Sequence, residues 1–166
     1  GGYGGDTIVG GPGIDILTGG AGNDTFTVAT GSHFLLMASA EVVNAGSGAL
    51  DTIKFTDTAN TTVAAADLVN MTGVEIIEMG STGDDSVTVS DQTFDNNGST
   101  SIIVENSSTG TFTVNAAGVS ATNSLNVQYD AAAAGIAVVD TITGGSGDDT
   151  IKFTDGRQWT SADIIN

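Results

Sequence analysis

The sequence predicts an all-β fold, a parallel β-roll or β-solenoid with glycine-rich turns and only minor, short helices. Three observations predict it. Nonapeptides of one pattern stand back to back at the start of the chain and reappear once near its end. Between them run short β-branched segments with a rhythm of roughly 10 to 13 residues, set off by Gly, Asn, Asp or Ser. A heptapeptide is duplicated letter for letter, 98 residues apart.

The nonapeptides come first. GGYGGDTIV begins at Gly1, GGPGIDILT at Gly10 and GGAGNDTFT at Gly19, and GGSGDDTIK begins at Gly144. Each fits G-G-x-G-x-D-x-U-x, with U a large apolar residue, a repeat associated with calcium-binding parallel β-helices. Six glycine-rich residues ending in Asp form a turn, because glycine accepts positive φ without steric penalty. The next three form a short strand whose central side chain (Ile8, Leu17 or Phe26) points inward, since side chains alternate faces. Two repeats then complete a coil of 18 residues, and alternate turns stack about 4.8 Å apart. Asp6 and Asp24 meet on one side and Asp15 lies on the other.

Carboxylates stacked that closely repel, by roughly 3 kcal/mol for a pair about 5 Å apart at an effective dielectric near 20. A hard cation reverses the sign. Calcium takes six to eight oxygens, which carboxylates and inward-turned backbone carbonyls supply. Ca²⁺ is therefore the cofactor that the spacing points to.

Gly1 to Thr27 and Gly144 to Lys152 resemble the RTX (repeats-in-toxin) proteins, calcium-binding proteins exported by bacteria through type I secretion. The resemblance implies an ion between the second, fourth and sixth residues of one turn and the first, third, fifth and sixth of the turn stacked on it. One ion would then take Gly2, Gly4 and Asp6 against Gly19, Ala21, Asn23 and Asp24. A second would take Gly11, Gly13 and Asp15 against a turn near Val28 to Ser32, where VATGS lacks the motif. The fourth copy offers Gly145, Gly147 and Asp149. A degenerate turn, GSTGDDSVT from Gly80, keeps Gly83, Asp85 and Val87, so Asp85 is a further candidate. AGSGALDTIKF carries one residue too many before Asp51 and is the weakest match.

Charge narrows the class. Twenty acidic residues stand against three basic ones, Lys54, Lys152 and Arg157, for a net charge of −17. Such a chain repels nucleic acid and anionic membrane surfaces. Without cysteine there are no disulfides or thiolate sites, and the lone His33 cannot build a zinc site with histidine partners. No apolar run approaches 18 residues, so no membrane insertion is expected. No H-E-x-x-H or G-x-S-x-G occurs, and adjacent acids such as Asp84–Asp85 and Asp148–Asp149 point apart on a turn or strand. The segment is not expected to be an enzyme.

The duplicated heptapeptide is DTIKFTD, at Asp51 to Asp57 and Asp149 to Asp155; ADLVN at Ala66 is answered by ADIIN at Ala162. Together they mark a repeating unit. The expected organisation is an RTX β-roll over 1–36, a solenoid unit over 37–148 and the start of a second unit over 149–166. Strands are expected at Gly73–Met79, Ser86–Ser90, Ser101–Glu105, Thr111–Asn115, Ser124–Tyr129 and Ile136–Thr143. Only six Phe, two Tyr and one Trp are present, which suits a narrow core of stacked aliphatic side chains. Thr62–Asn70 and Thr160–Asn166 are expected to form short helical turns, and Phe34–Val43 is open between helix and strand.

The function expected is structural: a calcium-dependent segment of a secreted surface protein, an S-layer or an extracellular filament that folds and assembles on calcium binding. A large RTX adhesin's stalk, or the secretion and folding module of an exported protease or lipase, are the alternatives. The expected partners are calcium ions and further copies of the chain, with cell-surface polysaccharide reached through other parts of the parent protein.

Overall fold

The computed structural model describes residues 1–11, 13–28, 42–56, 59–80, 83–107, 110–129, 139–153 and 163–166. Among them fifteen strands occur, and every recorded strand pairing is parallel. The chain is a β-solenoid that begins with the β-roll of its tandem nonapeptides. A parallel pair needs a crossover between its strands, and here each crossover is the rest of one coil.

Seven strands make the longest sheet, in the order β1 (Thr7–Val9), β3 (Thr25–Val28), β5 (Thr52–Phe55), β8 (Ile76–Met79), β10 (Ser101–Asn106), β12 (Ser124–Tyr129) and β14 (Thr150–Phe153). A second sheet stacks β6 (Thr62–Val63), β9 (Asp85–Ser90), β11 (Phe112–Gly118), β13 (Thr141–Thr143) and β15 (Ile164–Ile165). A third holds β2 (Ile16–Ala21), β4 (Val42–Ser47) and β7 (Met71–Thr72). Where the third sheet stops, helix α1 (Asp91–Asn97) continues that side. Val74 N–H donates to Asn97 Oδ1 at 2.9 Å, and Asn96 Nδ2 donates to the Val69 carbonyl at 2.7 Å. The Asn side chains replace the backbone ladder that a fourth strand would have supplied.

The register aligns one inward column along the long sheet: Ile8, Phe26, Ile53, Ile77, Val104, Val127 and Ile151. Phe26, Ile53, Ile77, Val104 and Val127 are fully buried, while Ile8 and Ile151 pack on the core from either end. Each fully buried side chain of this size contributes about 1.5 to 3 kcal/mol. Facing it in the second sheet are Val63, Val87, Val114 and Ile142, all buried. The Phe112 and Tyr129 rings meet edge to face across the core at 5.9 Å.

Ile8 and Phe26 are separated by the expected 18-residue coil, but Phe26 and Ile53 pair across 27 residues and Ile53 and Ile77 across 24. The coils widen because a third side is added to the two that a nonapeptide pair provides. All six strands expected outside the repeats are present, Ser124–Tyr129 with the expected ends and the others shifted; β13 covers only Thr141–Thr143 of the expected Ile136–Thr143, and 130–138 lie outside the described residues. The expected helix at Thr62–Asn70 is corrected to β6, a single 3-10 turn (Ala65–Leu68) and the approach to β7. Its alanines bring Leu68 into the core rather than extend a helix. Of Thr160–Asn166 only 163–166 are described, and there β15 stands in place of the expected helix, because Ile164 and Ile165 complete the ladder with Thr141 and Ile142. Phe34–Val43 lies outside the described residues except for Val42 and Val43, which are strand.

Candidate calcium site

Glycine lets the opening turns stack backbone on backbone. Ala21 N–H donates to Gly2 O at 2.8 Å and Gly4 N–H donates to Ala21 O at 2.7 Å, closing the Gly1–Asp6 turn onto the Gly19–Asp24 turn. A methyl group built on Gly22 would lie 2.6 Å from Gly4 O, and one on Gly5 would lie 2.7 Å from Asn23 O. Gly2, Gly4, Asp6, Gly19, Ala21, Asn23 and Asp24 are thus brought together as expected. Gly2 O and Ala21 O already accept one ladder bond each, and a carbonyl keeps a second lone pair.

The acids are placed by a rule broader than the nonapeptide. Each precedes or opens a strand, and one carboxylate oxygen accepts the backbone N–H of the equivalent residue one coil earlier. Asp6 N–H donates to Asp24 Oδ1 at 2.8 Å, Asp24 N–H to Asp51 Oδ1 at 2.7 Å, and Asp51 N–H to Glu75 Oε2 at 2.9 Å. Ile102 and Leu125 then occupy the column, buried, before Leu125 N–H donates to Asp149 Oδ1 at 2.9 Å. The second sheet has its own column: Thr61 N–H donates to Asp85 Oδ1 at 3.0 Å, Phe112 N–H to Asp140 Oδ1 at 2.8 Å and Asp140 N–H to Asp163 Oδ1 at 2.9 Å. Glu75, Asp140 and Asp163 were not singled out from the sequence, and Asp51 was named only as the end of the weakest match. Their one signal is an acid directly ahead of an apolar-alternating run.

The second oxygen distinguishes the turns. In three nonapeptides it accepts an N–H of its own turn: Gly2 N–H to Asp6 Oδ2 at 2.8 Å, Gly11 N–H to Asp15 Oδ2 at 3.1 Å, and Gly145 N–H to Asp149 Oδ2 at 2.7 Å. In Asp24 it accepts nothing, although the residue is fully buried. A buried carboxylate oxygen with no partner fits a bound cation, because leaving it bare carries the whole desolvation cost. The fit to Ca²⁺ is therefore good at this turn. When bound there, calcium would neutralise the stacked charges; Asp6 and Asp24 with the neighbouring carbonyls would hold it. Among the described residues no three His, Cys, Asp or Glu side chains converge on one point, so such a site leans on backbone carbonyls.

The other candidates are placed differently. The turn carrying Gly11, Gly13 and Asp15 leads into β2, which pairs with β4, and Asp15 O accepts from Val42 N–H at 3.0 Å; of the expected partner Val28–Ser32, only Val28, in β3, is among the described residues. Gly145, Gly147 and Asp149 stack on Val119–Asn123, which supplies no carboxylate; a methyl built on Gly147 would lie 2.0 Å from Asn123 O. Asp85 is buried at the turn holding Gly83 and Asp84. Asp84 Oδ1 accepts from Thr111 N–H at 2.9 Å, and that bond holds its carboxyl below the usual range. Burial pushes Glu75 up; the bond from Asp51 N–H pulls it back and the Asp51 charge adds to the rise.

The RTX calcium-binding nonapeptide repeat family matches residues 1–32 and 139–157, in four copies. No curated protein and no solved structure gives a significant match. These stretches are RTX repeats, which bind calcium ions and occur in type I-secreted extracellular proteins. The matched stretches are RTX calcium-binding repeats, and they make the solenoid they belong to a calcium-binding structural module of the kind that secreted proteins carry. Among the described residues no helix is long and apolar enough to cross a membrane.

Proposed function

We propose that this chain is a calcium-dependent structural segment of a secreted bacterial surface protein, an S-layer or an extracellular filament, which folds and self-associates once calcium binds. The observation that carries the reading is the continuous stack of coils, most of them acid-led, running from RTX turns through non-RTX coils in one seven-strand sheet. A secretion module needs only the repeats, whereas here the same architecture continues for most of the described chain. The ligands of the first ion are Gly2, Gly4 and Asp6 with Gly19, Ala21, Asn23 and Asp24. Residues 37–148 form one solenoid unit, and 149–166 open the next. This division rests on β5 and β14, the two copies of DTIKF, which occupy equivalent registers four strands apart in one sheet.

Extracellular sites bind calcium with dissociation constants of about 10⁻⁴ to 10⁻³ M, so the segment stays unfolded in the cytosol and folds outside. Cell-surface polysaccharide would be engaged by other parts of the parent protein. Electron microscopy after calcium addition tests the reading: ordered sheets or filaments support it. A strictly monomeric particle favours the adhesin stalk, for which the regular addition of coils is the supporting feature.

A further inference from the structure

We propose a calcium site between the Gly19–Asp24 turn and the following Ala45–Asp51 turn, with Asp51 as a ligand, outside the residues that match the RTX repeat. The inference rests on the calcium-dependent reading above and deepens it. Asp51 ends a segment whose spacing breaks the nonapeptide pattern, yet the fold places it directly over Asp24. Gly20 pairs with Gly46 and Ala21 with Ser47 in the β2–β4 ladder, and Gly22 N–H donates to Ser47 O at 3.2 Å.

Two observations point to a cation there. First, Asp24 and Asp51 are both fully buried, and each leaves Oδ2 without a hydrogen bond. In Asp6, Asp15 and Asp149 the equivalent oxygen is satisfied by the amide of its own turn. Second, at each of two glycines a carbonyl of one turn approaches the carboxylate of the other. A methyl built on Gly19 would lie 2.3 Å from Ala45 O and 2.3 Å from Asp24 Oδ2. One built on Gly48 would lie 2.5 Å from Gly22 O and 2.7 Å from each Asp51 carboxylate oxygen. The oxygens at these two positions, Asp24 Oδ2 with Ala45 O and the Asp51 carboxylate with Gly22 O, are the donor type that a hard divalent cation takes. Among the described residues no cationic side chain pairs with either acid.

The test is calcium titration of the whole 166-residue chain, wild type and Asp51→Asn, by isothermal calorimetry. The variant is expected to bind one ion fewer than wild type. In the wild-type chain, the side-chain carboxyl ¹³C resonances of Asp24 and Asp51 are expected to shift together in one binding step, a readout that does not depend on the variant folding. Equal stoichiometry for the two chains, or an Asp51 carboxyl resonance that ignores calcium while others move, overturns the site and leaves the RTX reading intact. A wild-type chain that binds no calcium overturns both.

Discussion

At the scale of single residues, the buried acids invert the usual effect of a substitution. Asp24→Asn keeps the oxygen that accepts from Asp6 N–H and places an amide where Asp24 Oδ2 faces Ala45 O. In excess chelator the variant should be more stable than wild type by about 1 to 3 kcal/mol, because one of two stacked charges is gone. In millimolar calcium it should be less stable, having lost a ligand. Thermal melts in the two buffers read the change of sign directly. Ile77, fully buried in the middle of the inward column, has no such dependence: Ile77→Ala should cost about 2 to 5 kcal/mol in either buffer. The residues of the first calcium turn were legible because glycine, aspartate and an apolar side chain recur at fixed spacing. Glu75 was not, and Asp51 was only as the weakest match, since their turns depart from that spacing and only the cross-coil amide bonds reveal their equivalence to Asp24.

At the scale of elements, the strands were legible and the third side of the coil was not. Alternation of β-branched residues marks β9, β10 and β12 plainly, whereas α1 is seven residues of polar sequence with one buried aromatic, Phe94. Its signals are local: Ser90 N–H donates to Thr93 Oγ1 at 3.2 Å, and Gly98 ends it at φ 63°. Gly98 has open space where a Cβ would go, so Gly98→Ala tests conformation alone and should cost about 1 kcal/mol in chemical denaturation. Asp91 ties the helix start to the next coil, accepting from Ser120 N–H and Asn123 Nδ2, both at 2.8 Å. The Ser120 bond first, then the Asn123 bond, hold its carboxyl below the usual range. The folded state thus favours the ionised form. That contribution is present above the ordinary aspartate range and is lost as pH falls from about 5 through the lowered folded value. Melting temperature followed from pH 7 down to pH 3 should fall less steeply in Asp91→Asn than in wild type.

At the scale of the molecule, a net charge of −17 on an acid-led stack makes stability a function of calcium. Each occupied site adds about 2.7 kcal/mol when calcium exceeds its dissociation constant a hundredfold, and almost nothing far below it. Hydrogen exchange during chelation should therefore show β1 and β3 losing protection before β10 and β12, whose column carries Ile102 and Leu125 in place of acids. Uniform loss along the sheet would contradict that order. The two copies of DTIKF carry one further meaning. β5 and β14 sit four rungs apart, so each duplication of the segment extends the stack by about 19 Å at the usual interstrand spacing. Gene duplication in such a chain acts as a ruler, setting reach in whole increments while every rung keeps its neighbours.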